Sequence, residues 1–204
     1  MRAFKALTLV AATGLLAVCV AVACSGGGSQ MKRSEKPGTV AEGDVAPDIV
    51  FPDSTAGLDI LRETLGLGEE TSVRLSSFRG KRHVVVAFYP KAFTPGCTKQ
   101  LCGYRDTIAS FADLDTVVVA VSADLQDKSN AFREKHGLPY PVIGDPGLDS
   151  AKAYGVPVTN LLFVKLAQRS VFLVDKEGVV RYVDHAYSVE KGPGPLMEAV
   201  AQLG

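Results

Sequence analysis

The sequence has no tryptophan, three histidines, four cysteines and no charge excess of either sign. Its 22 basic and 22 acidic residues form no basic run, so nothing points to nucleic acid. His83, His136 and His185 do not stand at metal-ligand spacing to a cysteine pair. That argues against a metal site, and no other cofactor is expected. There is no C-x-x-C, the spacing of a dithiol oxidoreductase. No segment repeats. What remains is a chain of 204 residues, 47% hydrophobic, enough for one packed domain with appendages.

The first appendage is N-terminal. Arg2 and Lys5 precede an apolar run from Ala6 to Ala23, and small residues lead up to Cys24. This is the layout of a secretory signal peptide, expected over residues 1–23. The run is just long enough to span a bilayer, so a retained anchor is the competing reading. Ala21-Val22-Ala23-Cys24-Ser25 resembles a bacterial lipobox, although its first position is usually leucine. Cys24 is therefore the expected lipidation site, with Cys19 a poorer candidate because Val18 precedes it. Ser25 to Gln30, SGGGSQ, reads as the start of a flexible tether over residues 24–39. The expected location is the bacterial cell envelope, with the chain held at the membrane by its N-terminal lipid or anchor. The globular domain is expected over residues 40–204.

Within that domain, HVVVAFY at His83 to Tyr89 and TVVVAVS at Thr116 to Ser122 are apolar, β-branched runs. They suit strands buried on both faces of a sheet. A helical pattern at Leu101, Tyr104, Ile108 and Phe111 lies between them, which makes a βαβ unit with parallel strands. Val73 to Phe78 is expected as a short strand. Residues 53–72 read as an insertion or short helix on Leu58, Leu61 and Leu65. Asp127 can cap a helix that runs through His136 to a stop at Gly137. Pro141 to Ile143 is a short extended segment, and Asp149 to Tyr154 a short helix. Ser170 to Val174 and Val179 to Asp184 flank a turn and predict a hairpin. Leu196, Met197, Val200 and Leu203 give an apolar face to a last helix. The order βαβα then ββα is that of an α/β thioredoxin-like fold, a central mixed sheet flanked by helices.

The chemistry concentrates just after the first buried run. Thr94 is a good N-cap and Pro95 a good first helical residue, which places Cys97 in the first turn. The N–H groups of that turn lack helical partners and the dipole end is positive; both favour thiolate over thiol. Cys97 should be partly shielded, because Leu101 follows four residues later on the apolar side. Cys102 follows Cys97 by five residues. On an intact helix their Cα atoms would be about 8–9 Å apart and rotated by about 140°. A disulfide needs them within about 7 Å. They can bond only if the first turn unwinds, which suits a catalytic cycle better than a staple. From spacing alone, a structural disulfide stays the commoner use of two such cysteines in an exported protein, and metal binding a rarer one. Arg169 alone would read as a surface strand-edge residue, and Thr94 as a plain cap. Tyr89, Phe93 and Tyr104 read as packing, His83 and His185 as surface or strand-end residues.

FYPKAFTPGCTKQLCGYRD strongly resembles the active-site segment of peroxiredoxins of the Q type, the bacterioferritin comigratory proteins. The resemblance runs from about Gly43 to the C-terminus, through GDVAPD, SSFRGK, VVAVSAD, FREKHGLPYPVIGDPGLDSAKAYGV and RSVFLVDKEGVV. It implies a peroxidatic Cys97 and an intrahelical resolving Cys102. It implies that Thr94 orients the peroxide, that Pro90 shields the thiolate, and that Arg169 contacts both. Gln100 stands where glutamate is common, which alters the hydrogen bonding around the site, and residues 53–72 are longer than the usual connection.

The resemblance therefore implies a thiol peroxidase acting on hydrogen peroxide, organic hydroperoxides or both, recycled by a thioredoxin-like dithiol. An intramolecular Cys97–Cys102 disulfide needs no second subunit, so a monomer suffices. Two other readings share the fold. An envelope thiol–disulfide oxidoreductase or copper-handling module would carry C-x-x-C, or C-x-x-x-C with a ligand histidine. A redox-sensing binding domain would react with peroxide without turning over.

Overall fold

The structure is a computed structural model that describes residues 39–69, 71–161 and 163–204. The expected signal peptide, Cys24 and all of the tether before Thr39 lie outside the described residues. The elements are α1 (Leu58–Leu65), a 3-10 turn (Leu75–Phe78), β1 (His83–Phe88), α2 (Pro95–Asp106), α3 (Ile108–Asp113), β2 (Thr116–Ser122) and α4 (Gln126–Lys135). Then follow β3 (Val142–Gly144), α5 (Asp149–Ala153), β4 (Val158–Leu161), β5 (Val164–Ala167), β6 (Ser170–Val174), β7 (Val180–Asp184) and α6 (Gly194–Ala201).

Five strands form one mixed sheet in the order β3-β2-β1-β6-β7. β1 pairs in parallel with β2, from His83 opposite Thr116 to Phe88 opposite Val121. It pairs antiparallel with β6, from Val84 opposite Val174 to Phe88 opposite Ser170. The βαβ crossover, the buried central strands and the β6–β7 hairpin are those the apolar runs predict. The architecture is the thioredoxin-like α/β fold.

Side chains alternate along β1 because a strand turns successive residues to opposite faces. Val84, Val86 and Phe88 join Phe51, Phe78, Tyr154 and Phe172 in one core cluster. Val85, Ala87 and Tyr89 join Cys97, Leu101, Tyr104, Val171 and Leu173 in the other. A sheet covered on both faces needs continuous apolar strands, which is why HVVVAF carries no polar residue after His83. The domain core begins at Val40, which is buried and whose N–H donates to the Tyr154 carbonyl at 3.4 Å.

Three local expectations need correction, and one element was not expected. Val73 to Phe78 is not a strand: a single bridge joins Val50 to Arg74, and the chain then coils into the 3-10 turn. Leu75 and Phe78 are both buried, and their i,i+3 spacing matches the three-residue period of that turn. Asp127 does not cap α4. Leu125, in extended conformation, precedes the helix, and Asp127 lies within the first turn, where its charge still suits the dipole. The pattern from Leu101 to Phe111 is two helices, broken at Thr107 (φ −109°, ψ 11°). The Thr107 hydroxyl donates to the carbonyls of Gly103 and Tyr104, competing with continuation of the helix. Finally, the hairpin β4–β5 forms a separate two-stranded sheet that the sequence pattern did not disclose.

The insertion is α1, entered at Gly57 (φ 84°) and left at Gly66 (φ 62°). Leu58 and Leu65 are buried beneath it, and Leu61 packs against the same core. Asn130 on α4 ties its approach down, accepting from the Ala56 N–H at 3.0 Å and donating to the Ser54 carbonyl at 2.7 Å.

Candidate active site

Helix α2 starts as its sequence dictates. Thr94 sits in extended conformation (φ −93°, ψ 147°) and Pro95 is the first helical residue. Its hydroxyl makes no cap bond; it donates instead to the Lys91 carbonyl at 3.0 Å. The N–H groups of the first turn are therefore not taken up by the Thr94 side chain. The preceding residue, Phe93, has φ 64°, a left-handed conformation that costs a non-glycine residue about 1–3 kcal/mol. Packing holds it there: its ring meets Phe132 at 5.0 Å and lies under the Lys135 ammonium at 5.5 Å.

Cys97 is 1% exposed, deeper than the partial shielding its position predicts. Leu101 and Tyr104 from the same helix, and Val85, Ala87 and Val171 from the sheet, share its core cluster. Cys102 is half-buried, and both cysteines are free thiols with the helix intact between them.

Arg169 reaches this buried sulfur from the residue before β6. Its Nη1 lies 3.6 Å from Cys97 Sγ and donates to Gln100 Oε1 at 2.7 Å. It is not a surface strand-edge arginine. Gln100, 2% exposed, donates in turn to the Tyr104 hydroxyl at 3.2 Å. Burial, and then the adjacent Tyr187, push the Tyr104 hydroxyl well above its ordinary range, so it stays neutral. The Tyr187 ring packs 5.8 Å from that of Tyr104. A guanidinium is thus held over a buried sulfur by a neutral chain through Gln100 and Tyr104. A glutamate at position 100 would pair its own charge with the same arginine; the neutral glutamine does not.

Gly96 makes room for this contact. A Cβ there would lie 3.1 Å from Arg169 Nη2, so a larger residue would push the guanidinium away. The spacing of Gln100 to Tyr104, i to i+4 on one helix face, was the sequence signal for the polar chain. Reading Tyr104 as packing alone missed it. Pro90 lies beyond β1 on the wall of an adjacent groove with Lys91 and Asp124. The structure therefore joins Cys97 directly to Arg169, and through Arg169 to Gln100, and keeps Thr94 and Pro90 on the segment that leads into the helix. Among the described residues, no group of three or more His, Cys, Asp or Glu side chains could hold a metal ion.

The model of the AhpC/TSA family matches residues 43–183. The chain belongs to this family, among peroxiredoxins of the Q/Bcp type. It is 34% identical over 167 residues to chloroplastic peroxiredoxin Q of Oryza sativa subsp. japonica, covering 81% of this chain and 69% of the relative. It is 44% identical over 110 residues to peroxiredoxin Bcp of Bacillus subtilis, covering 52% of this chain and 69% of the relative. The solved structure of peroxidoxin BcpB from Mycobacterium tuberculosis superposes with a TM-score of 0.67 at 28% identity, over 81% of this chain and 99% of that one. Peroxiredoxins are thiol peroxidases, and the buried Cys97 with its guanidinium lies inside the matched region.

Proposed function

We propose that this peroxiredoxin reduces hydrogen peroxide, organic hydroperoxides or both through Cys97, with Cys102 as the resolving thiol. The contact of Arg169 with Cys97 Sγ at 3.6 Å carries the reading. A cation beside a sulfur at a helix start supplies positive potential where the peroxide would react, and burial keeps water from competing with the peroxide. The Cys97 thiolate attacks one oxygen of the O–O bond. An S–O bond forms, the O–O bond breaks, and the leaving oxygen departs, with a proton, as water or an alcohol. The sulfur, oxidised by two electrons, is a sulfenic acid. Thiolate formation alone does not make the reaction fast, because nucleophilicity falls with basicity. Arg169, the Thr94 hydroxyl and the Cys97 N–H would therefore polarise the peroxide and stabilise the leaving oxygen, and Pro90 would limit solvent access.

The first turn of α2 then unwinds and Cys102 attacks the sulfenic sulfur, releasing water and forming the disulfide. The unbonded cap and the left-handed Phe93 favour opening at this end. A thioredoxin-like dithiol reduces the disulfide and is itself oxidised. Disulfide formation needs only one copy of this chain.

The proposed layout is a signal peptide over residues 1–23, a lipid at Cys24, a tether to residue 39 and the peroxidase domain over residues 40–204, all at the bacterial cell envelope. This part rests on the sequence. Among the described residues no helix is long and apolar enough to cross a membrane. Metabolic labelling with a radioactive fatty acid tests it: label should enter the wild type and be absent from Cys24→Ala.

The test of the chemistry is peroxide consumption coupled to a thioredoxin system. Cys97→Ser should fall to the background rate; turnover left intact in that variant would refute the assignment. Cys102→Ser should consume one equivalent of peroxide and then fail to recycle with the same reductant.

A further inference from the structure

The hairpin β4–β5 spends apolar residues where burial cannot account for them. Phe163 at its tip is 100% exposed and Leu161 is 61% exposed, and Val164 beside them is also exposed. Leu125, 68% exposed, stands before α4 across a groove of about 290 Å³. Val164, Lys165 and Leu166 of the hairpin line that groove together with Pro90, Lys91, Ala123, Leu125 and Lys128.

The charged residues that line this groove are mostly lysines. Lys91, Lys128 and Lys165 line the groove, against a single carboxylate, Asp124. That carboxylate is buried and fully used. Its Oδ1 pairs with Lys128 Nζ at 2.6 Å, and its Oδ2 accepts from the Ala92 N–H at 2.6 Å and the Ser122 hydroxyl at 3.0 Å. Lys91 and Lys165 are left as exposed cations beside exposed leucine, valine and phenylalanine. A protruding apolar tip with a cationic collar matches a bilayer surface. The rings and aliphatic chains enter the acyl boundary and the ammonium groups meet anionic headgroups.

The position of the hairpin agrees. Val40, at the start of the domain, donates to the Tyr154 carbonyl at 3.4 Å, four residues before β4 begins at Val158. β5 ends at Ala167, two residues before Arg169, and Lys91 accepts from the Thr94 hydroxyl. A surface gripped by the hairpin would lie against the segments that frame Cys97.

We infer that the β4–β5 hairpin, with the Lys91 and Lys165 collar, is a docking element for an anionic lipid bilayer. It would present the Cys97 site to the interface, where the polar hydroperoxide group of an oxidised lipid resides. The inference concerns binding and stands apart from the peroxidase reading.

The absence of tryptophan makes the test local. Phe163→Trp in the full chain places one indole at the exposed tip. On vesicles of phosphatidylcholine containing phosphatidylglycerol, its emission should shift to the blue and be quenched by lipids brominated near the headgroup. Phosphatidylcholine alone should give a much weaker response. Adding Lys165→Gln should raise the lipid concentration at half-saturation about fivefold, the effect of one lysine near a charged surface. Water-like emission on anionic vesicles would overturn the inference, even if the chain sedimented with them through its N-terminal segment. So would a blue shift that appears without vesicles as protein concentration rises, which would mean that a second copy covers the tip. So would an unchanged half-saturation with Lys165→Gln. Phe163→Trp should reduce soluble hydrogen peroxide at the wild-type rate, which separates failure of docking from failure of the peroxidase reading.

Discussion

The first turn of α2 and the turns that follow treat their cysteines differently. At Cys97 the side chain is buried and the polar contact is a guanidinium, but the backbone is lightly held. The Thr94 cap makes no side-chain bond, and Phe93 before it is in a left-handed conformation. Around Cys102 the thiol is half-buried, and the helix is fixed. Leu101 is fully buried, and its carbonyl accepts from the Tyr140 hydroxyl at 2.5 Å. Arg105 donates to the His136 carbonyl at 2.8 Å, one turn further on. If the two sulfurs are to meet, the N-terminal turn is the one that can give way. One helix is thus held in two ways: its Cys97 end by side-chain contacts, and its Cys102 end by core packing and backbone-carbonyl bonds.

This contrast can be broken most severely at Arg169. Arg169→Met removes the cation from the Cys97 end and should slow oxidation of Cys97 by peroxide about 100-fold to 1,000-fold, the range for loss of one charge-stabilising donor. Stopped-flow measurement of the second-order rate checks it, and the fold should survive because Arg169 is only half-buried. Leu101→Ala attacks the other end. It should lower the free energy of unfolding by about 2–5 kcal/mol, measured by urea denaturation, with a smaller effect on the first oxidation step.

Gln100→Leu sharpens the account by cutting the link between Arg169 and Tyr104. One hydrogen bond to a charged group is worth about 1.5 kcal/mol or more, so the peroxide rate should fall about tenfold, less than for Arg169→Met.

How far the sequence disclosed these two ends differs as well. The runs from His83 and from Thr116 suit buried strands, and Thr94-Pro95 suits a helix start, so the position of Cys97 was legible. Its link to Arg169 was not, because the two are joined through space across β1 and β6; the family resemblance supplied that pairing. Gln100 stood out only as a departure from glutamate, and its role depends on a guanidinium that no local pattern announces. The β4–β5 hairpin escaped notice for the opposite reason: its apolar tip is exposed, which inverts the rule that reads apolar runs as core. Thr107 and the 3-10 turn at Leu75–Phe78 were missed because side-chain bonds and a three-residue period settle them locally.

The smallest expected effect concerns pH. His136 lies 6.4 Å from the Phe93 ring and 4.8 Å from that of Phe132, beside the lightly held end. Partial burial, then Lys135 and Arg105, hold it below its ordinary value of 6.5. The folded state therefore resists its protonation, and the unfolded chain binds that proton first. This cost is absent above about pH 6.5 and grows as pH falls below it. Urea midpoints should decline slightly between about pH 7.5 and about pH 5.5, with a shallower decline in His136→Gln. His83 is held low by burial and Lys176, and its contribution has the same sign; it should persist in that variant.

The measurement closest to the central claim is disulfide mapping by mass spectrometry after one equivalent of peroxide is added to the fully reduced protein without reductant. The account predicts a single intramolecular bond between Cys97 and Cys102 in the wild type, and a sulfenic acid on Cys97 alone in Cys102→Ser. Oxidation that begins on Cys102, or a Cys97 left as a free thiol, would contradict it.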